Sequence, residues 1–189
     1  RLTDVTGVQT CALPISESVP LKYREQTAIG VLRDIGRVID YLAGTGIIHA
    51  DISPGNIMEK KGSLVQKHYL LIDWGASALL HRYPSNTFGS LHFTAPERLV
   101  KEAGIKSDLF SLGVTAFYIL TGTVPFGGST GELYYIDCLE RDGISPSEIV
   151  PKINSALDRT VKDLIRCHAQ DRIGPKELCR RMEKFNAIF

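Results

Sequence analysis

The 189-residue chain has four cysteines, Cys11, Cys138, Cys167 and Cys179, and none stands at the spacing of a metal clip or a disulfide framework. That argues against a stapled secreted scaffold and a zinc ribbon. It fits reduced thiols in a cytoplasmic protein, each read as a small apolar core residue. Long hydrophobic runs are also missing. The most apolar segment, Leu112 to Phe126, is interrupted by Gly113, Gly122 and Pro125 and is too short for a membrane span, so a buried core helix is expected there. Charge of one sign is scarce as well: 22 Lys and Arg stand against 21 Asp and Glu, net +1. A nucleic-acid binder needs a basic stripe to neutralise phosphates, and the cations here are scattered, so no nucleic-acid partner is expected. There is no internal repeat and no low-complexity tract. What remains, at 43% hydrophobic, reads as one ordinary globular domain with a real core.

One stretch is set apart. Val5 to Ile15, VTGVQTCALPI, is similar to the conceptual translation of a sequencing-library adapter. Residues 1–16, Cys11 among them, are therefore expected to be an adapter-derived artefact, with natural sequence from residue 17 and more of the protein upstream.

Beyond it, Ile29, Leu32, Ile35, Ile39 and Leu42 recur at three- and four-residue intervals with Arg33, Asp34, Arg37 and Asp40 between them. This predicts an amphipathic helix over Leu21 to Ala43, closed by Gly44 and Gly46. Ile47-Ile48 and a loop from Ala50 to Asn56 follow. The runs Ile57-Met58 and Tyr69-Leu70-Leu71-Ile72, with Lys60-Lys61-Gly62-Ser63 between them, predict a hairpin with a long connection. A polar segment runs from Gly75 to Thr94, and then the pattern turns helical. Pro96 opens a short helix, and Ser107 is a candidate N-cap for the apolar helix through Leu120. Ser129 or Thr130 is the candidate cap of a helix to about Asp142, Ser155 with Asp158 a weak capping box, and Pro175 a helix start.

The chemistry-bearing stretch is HADISPGNIM, His49 to Met58. Its H-x-D-x-x-x-x-N pattern fixes three positions in eight, which average composition yields in roughly 1% of chains this size. Such residues in a turn commonly do no more than bond backbone amides. The pattern does not stand alone, however. Seventeen residues after Asn56 comes Asp73-Trp74-Gly75, then Ala95-Pro96-Glu97, then Ser107-Asp108-Leu109-Phe110-Ser111-Leu112-Gly113, and Arg172 falls late. In this order and spacing the motifs resemble the C-terminal lobe of a eukaryotic-type (Hanks-type) serine/threonine protein kinase, over residues 17–189.

The resemblance implies an α+β fold: a mostly helical lobe with a small β-hairpin beside the catalytic loop, and with the N-terminal lobe missing from the sequence as given. It implies ATP-dependent phosphorylation of protein hydroxyls, with ATP and Mg²⁺ as cofactors and a protein as partner. Phosphoryl transfer needs an acceptor oxygen in line and cations to spread charge; carboxylate and amide oxygens are natural hard ligands for Mg²⁺. In that frame Asp51 is the catalytic base, Asn56 and Asp73 hold Mg²⁺ and ATP, and Met58 lies beneath the adenine. Ser53 occupies the place of a lysine that contacts the γ-phosphate. His49 and Trp74 are structural, Trp74 standing where Phe is usual. Ser90 keeps a hydroxyl that favours serine/threonine acceptors. Glu97 and Arg172 are expected to pair, and Asp108 to hold the catalytic-loop backbone.

Three departures qualify the match. Ala50 replaces the arginine that commonly receives an activating phosphate, so phosphorylation at Ser77, Ser85, Thr87 or Ser90 is not expected to activate. Ser53 removes a charge contact worth on the order of 3 kcal/mol at a transition state. No glycine-rich loop, V-A-x-K lysine or partner glutamate helix precedes residue 17, so the 189-residue chain is expected to be inactive alone and to bind MgATP weakly. Two alternatives stay open: a pseudokinase scaffold, suggested by Ala50 and Ser53, and a small-molecule kinase of the aminoglycoside or choline type, which shares the H-x-D-x-x-P-x-N loop. The protein substrate is not readable from the residues.

Overall fold

The structure is a computed structural model that describes residues 18–60, 67–79, 91–99, 103–127, 131–141 and 143–186. The first long element, α1 (Leu21–Thr45), forms where predicted and runs two residues further than the pattern suggested. Gly44 lies inside it. The stop is Gly46, whose left-handed φ of 72° lets its N–H return to the Leu42 carbonyl, a conformation a side chain would resist.

One face of α1 buries Ala28, Val31, Leu32, Ile35 and Ile39 completely. Their partner is α3 (Ile105–Thr121), the predicted core helix, which is buried on almost every side. Each large aliphatic side chain removed from water there contributes about 1.5–3 kcal/mol, so this contact dominates the stability of the fold. α6 (Ser155–Leu164) and α7 (Pro175–Asn186) complete the helical layer, α7 against α1 and α6 against α3. The α3–α6 approach is close because residue 113 is glycine: a Cβ there would lie 2.6 Å from the Leu164 Cβ. α2 (Pro96–Leu99), α4 (Gly131–Arg141) and α5 (Pro146–Ile149) are peripheral; α5 was not anticipated.

The β structure comprises two ladders among the described residues. β1 (Ile47–Ile48) pairs antiparallel with β4 (Ala78–Leu79), a ladder the sequence reading missed. β2 (Ile57–Lys60) pairs antiparallel with β3 (His68–Leu71), with Met58 opposite Leu70, as the predicted hairpin. The hairpin is fixed to α1 by polar contacts as well as by packing. Asp34 accepts from Tyr69 N (2.9 Å) and from Arg33 Nε (2.8 Å), and Arg33 Nη2 donates to the Lys67 carbonyl (2.8 Å). Burial would raise the Asp34 pKa, but the Arg33 and Tyr69 bonds outweigh it and the carboxyl sits below its usual value.

Two cap assignments are corrected. The N-cap of α3 is Gly104, not Ser107; Ser107 sits one turn in, where its hydroxyl accepts from Gly104 N and donates to Glu97. The N-cap of α6 is Asn154, whose side-chain oxygen accepts from Ala156 N and Leu157 N; Asp158 instead accepts from Ser145 Oγ and Ser147 N. Ser129, Thr130 and Asp142 lie outside the described residues, as does the segment 1–17.

Candidate active site

Pairing of β1 with β4 brings the chain after Ile48 alongside the segment that follows Asp73. Between them lies a loop whose backbone is held from below. Asp108, on the first turn of α3 and 1% exposed, accepts from His49 N (2.7 Å) and Ala50 N (2.9 Å). Burial pushes its pKa up to about 6, against the pull of the two amides and the Arg98 charge. The clamp coincides with strain: Ala50 is 1% exposed with φ 69°, a left-handed conformation that costs a non-glycine residue about 1–2 kcal/mol.

His49 is fully buried. Its Nδ1 accepts from Asp51 N (3.3 Å) and its Nε2 lies 3.2 Å from the Ile72 carbonyl, which can only accept, so the ring is the Nε2–H tautomer. Burial lowers its pKa, against the Ile72 bond and the Asp51 and Asp73 charges, which agrees with a neutral ring. Trp74 meets it edge-on, centroids 4.8 Å apart, and remains 45% exposed.

Asp51 and Asn56 are joined directly. Asn56 Nδ2 donates to the Asp51 carboxylate Oδ2 and to the Asp51 carbonyl, both at 2.8 Å. A 3-10 turn over Pro54–Asn56 sets this up, with Asn56 N bonded to the Ser53 carbonyl. Both side-chain bonds use the amide nitrogen, and no described residue donates to Asn56 Oδ1. Ile72 N donates to the Asn56 carbonyl (2.9 Å), which ties the loop to the residue just before Asp73. Asp73 is itself left-handed, φ 60°, and caps the turn Trp74–Ala76 through Gly75 N (3.2 Å). The result is a half-exposed carboxylate, an amide oxygen and an exposed carboxylate on two loops stitched to one another.

The remaining residues singled out in the sequence fall as follows. Met58 is half-buried on β2, and Ser53 is 5% exposed below the loop. Ser90 lies outside the described residues. Glu97 and Arg172 form a polar contact in which every guanidinium N–H is used. Arg172 Nη1 and Nη2 donate to the two Glu97 oxygens (2.6 and 2.8 Å). Its other bonds go to the carbonyls of Arg166 (2.6 Å), Cys167 (2.7 Å) and Lys106 (3.0 Å). Its guanidinium carbon lies 4.6 Å from the centroid of the Phe110 ring. Sequence reasoning missed three participants: Ser107, which donates to Glu97 Oε1 at 2.8 Å; Ser77, whose hydroxyl reaches the His49 carbonyl at 3.4 Å; and Asp34 under the hairpin. The serine that precedes Asp108 carries no local signal for the first; the acidic interruption of the α1 pattern at Asp34 is the signal that was available for the last.

Comparison with known proteins identifies the class. The family model described as the protein kinase domain matches residues 14–182, and the chain belongs to that family. Its relatives are serine/threonine protein kinases. It is 28% identical over 162 residues to the probable kinase PknB of Lactococcus lactis (83% of this chain, 24% of that protein). It is 32% identical over 165 residues to calcium-dependent protein kinase 11 of rice, Oryza sativa (83% and 28%). PknJ of Mycobacterium tuberculosis is 29% identical over 141 residues (71% and 24%). The chain thus spans about a quarter of the length of these relatives. Among solved structures, the Rad53 kinase domain and SCD2 superposes with a TM-score of 0.65 at 23% identity, covering 83% of this chain and 55% of that one, a likeness of fold. The mostly helical lobe with a small hairpin, expected from the sequence, is the fold observed.

Proposed function

We propose that this chain is the C-terminal lobe of an enzyme that transfers the γ-phosphoryl group of ATP to serine or threonine hydroxyls of a protein. Asp51 receives and orients the acceptor hydroxyl; Asn56 Oδ1 and the Asp73 carboxylate would hold the cation. When bound, ATP supplies the phosphoryl group and Mg²⁺ spreads its charge; an amide oxygen and a carboxylate suit such a hard cation. The observation that carries this reading is the Asn56 side chain: it donates to Asp51 through nitrogen, which turns its oxygen away from Asp51 as a potential ligand. The same hydrogen bond keeps Asp51 in one orientation, which is what positioning an attacking hydroxyl requires. Asp108 and the Glu97–Arg172 pair act as supports, holding loop backbone and the segment after Thr94 to the helical core. The location proposed is cytoplasmic; among the described residues no helix is long and apolar enough to cross a membrane.

A second reading is a kinase-like scaffold. Ser53 favours it, being 5% exposed and a neutral hydroxyl that brings no positive charge to a phosphate. The test is phosphotransfer by the complete kinase domain, offered protein acceptors and then small amines and alcohols. Phosphoserine or phosphothreonine on the protein supports the proposal. Transfer only to the small acceptors makes it a small-molecule kinase, and no transfer to either supports the scaffold.

A further inference from the structure

A cavity of about 330 Å³ opens between the start of α6 and the outer face of α7, well outside the loops described above. Four cations line it, Arg159 from α6 and Arg180, Arg181 and Lys184 from α7, with a single carboxylate, Glu177, and an apolar floor of Ala156 and Phe185. The charges of these lining side chains do not cancel. Glu177 accepts from Arg180 (2.7 Å, twice) and from Arg181 (2.9 Å), and Asp163 behind the cavity accepts from Arg181 (2.8 Å). Two carboxylates thus meet two guanidinium groups, while Arg159 and Lys184 make no ion pair among the described residues. The Arg180 hydrogen bonds, followed by those of Arg181, hold the Glu177 carboxyl down to about 2, so it is ionised at any working pH and stays engaged with those two guanidinium groups. Arg180 and Lys184, one turn apart on α7, repel one another unless an anion lies between them. The N-terminal amides of α6 play no part, since Asn154 already accepts from them.

Two unmatched positive charges, with two forked guanidinium groups already oriented beside them, suit a dianion with several acceptor oxygens. A carboxylate would leave one charge uncompensated. The volume lies in the range of sites for organic ligands rather than of a bare ion, and its apolar floor suits the methylene or methyl next to a phosphoester. We propose that this cavity binds a phosphomonoester carried on a protein side chain, phosphoserine or phosphothreonine. The choice of a protein-borne phosphate rests on the function proposed above, whose product is that group; the site itself does not.

The test is anisotropy titration of the 189-residue chain with a fluorescent phosphoserine peptide and its unphosphorylated twin, with inorganic phosphate as competitor. The phosphopeptide is expected to bind at least about tenfold more tightly than its twin, the worth of one or two charge-assisted hydrogen bonds. Arg159→Gln and Lys184→Gln, both on exposed positions, are each expected to weaken it severalfold while thermal melting stays unchanged. Glu177→Gln, which removes the competing carboxylate, is expected to tighten it. Equal binding of both peptides overturns the proposal, as do Gln variants that bind like the parent. Inorganic phosphate competing at the same concentration as free phosphopeptide also overturns it, since the site then takes the ion alone. No nucleotide is present and the phosphate is supplied ready-made, so failure here leaves the catalytic reading untouched.

Discussion

Replacing Arg172 by lysine keeps the charge and removes the fork, and the structure allows the cost to be worked out. The guanidinium makes five bonds with its five N–H groups, two to Glu97 and three to carbonyls, in a site where its side chain is 0% exposed. An ammonium has three N–H groups and no planar geometry, so at least two acceptors lose their partner. A buried acceptor left unsatisfied costs about 1–3 kcal/mol, and breaking a buried ion pair outright costs about 3–5 kcal/mol. Arg172→Lys is therefore expected to lose about 3 kcal/mol, a large part of the 5–15 kcal/mol typical of a domain. For a chain of this size that corresponds to a fall in melting temperature of roughly 6–12 °C. Urea unfolding followed by circular dichroism reads the loss as a shift of midpoint at constant slope. A variant within about 0.5 kcal/mol of the parent would refute the reasoning, because surface substitutions alone give that little.

Further outcomes follow from the same geometry. Gly113→Ala places a Cβ 2.6 Å from Leu164 Cβ and 2.9 Å from Ile165 Cγ2, so it is expected to cost about 1–3 kcal/mol by overpacking, read by thermal melting; an unchanged melt would mean that α3 and α6 are not in contact. The Asp108 carboxyl ionises near 3.8 when unfolded and near 6 when folded, so between those values the folded chain holds the extra proton and this group's contribution to stability falls as pH rises. Comparing the pH dependence of unfolding for the parent and Asp108→Asn isolates that slope; identical slopes would show that Asp108 is not buried as described. Ala50 offers no cation to a phosphate, so phosphorylation between Asp73 and Glu97 is expected to leave the rate of the complete kinase domain within about twofold. A large gain on phosphorylation would contradict this.

How much of this could be read beforehand depended on range. Helix α1, the β2–β3 hairpin, core helix α3 and the motif residues were legible because period, composition and spacing are local properties. The Asn56–Asp51 bond and the tie from Ile72 to Asn56 join short loops whose register the hairpin sets, so they lay close to the sequence pattern. The caps were misassigned where a side chain had a better distant partner: Ser107 serves Glu97, ten residues away, and Asp158 serves Ser145 and Ser147. The β1–β4 ladder is only two residues long on each side and joins segments about thirty apart, so nothing local announces it. The left-handed Ala50 was hidden for the same reason, since the Asp108 that binds its amide stands on α3, 58 residues away. The α6–α7 cavity was invisible because Arg159 and Lys184 look like ordinary exposed cations until the two helices are laid together.

The central claim is that Asp51, bridged to Asn56 and tied through Ile72 to the segment that carries Asp73, performs phosphotransfer. Its most direct test is the initial rate of ATP-dependent serine phosphorylation by the complete kinase domain, parent against Asp51→Asn. Melting curves and the emission of Trp74, the single tryptophan, serve as checks on the fold. The account predicts a loss of about 10²–10⁴-fold in kcat for the variant with the fold intact, the span expected on removing a positioned base. A well-folded Asp51→Asn domain that retains the parent rate would contradict it.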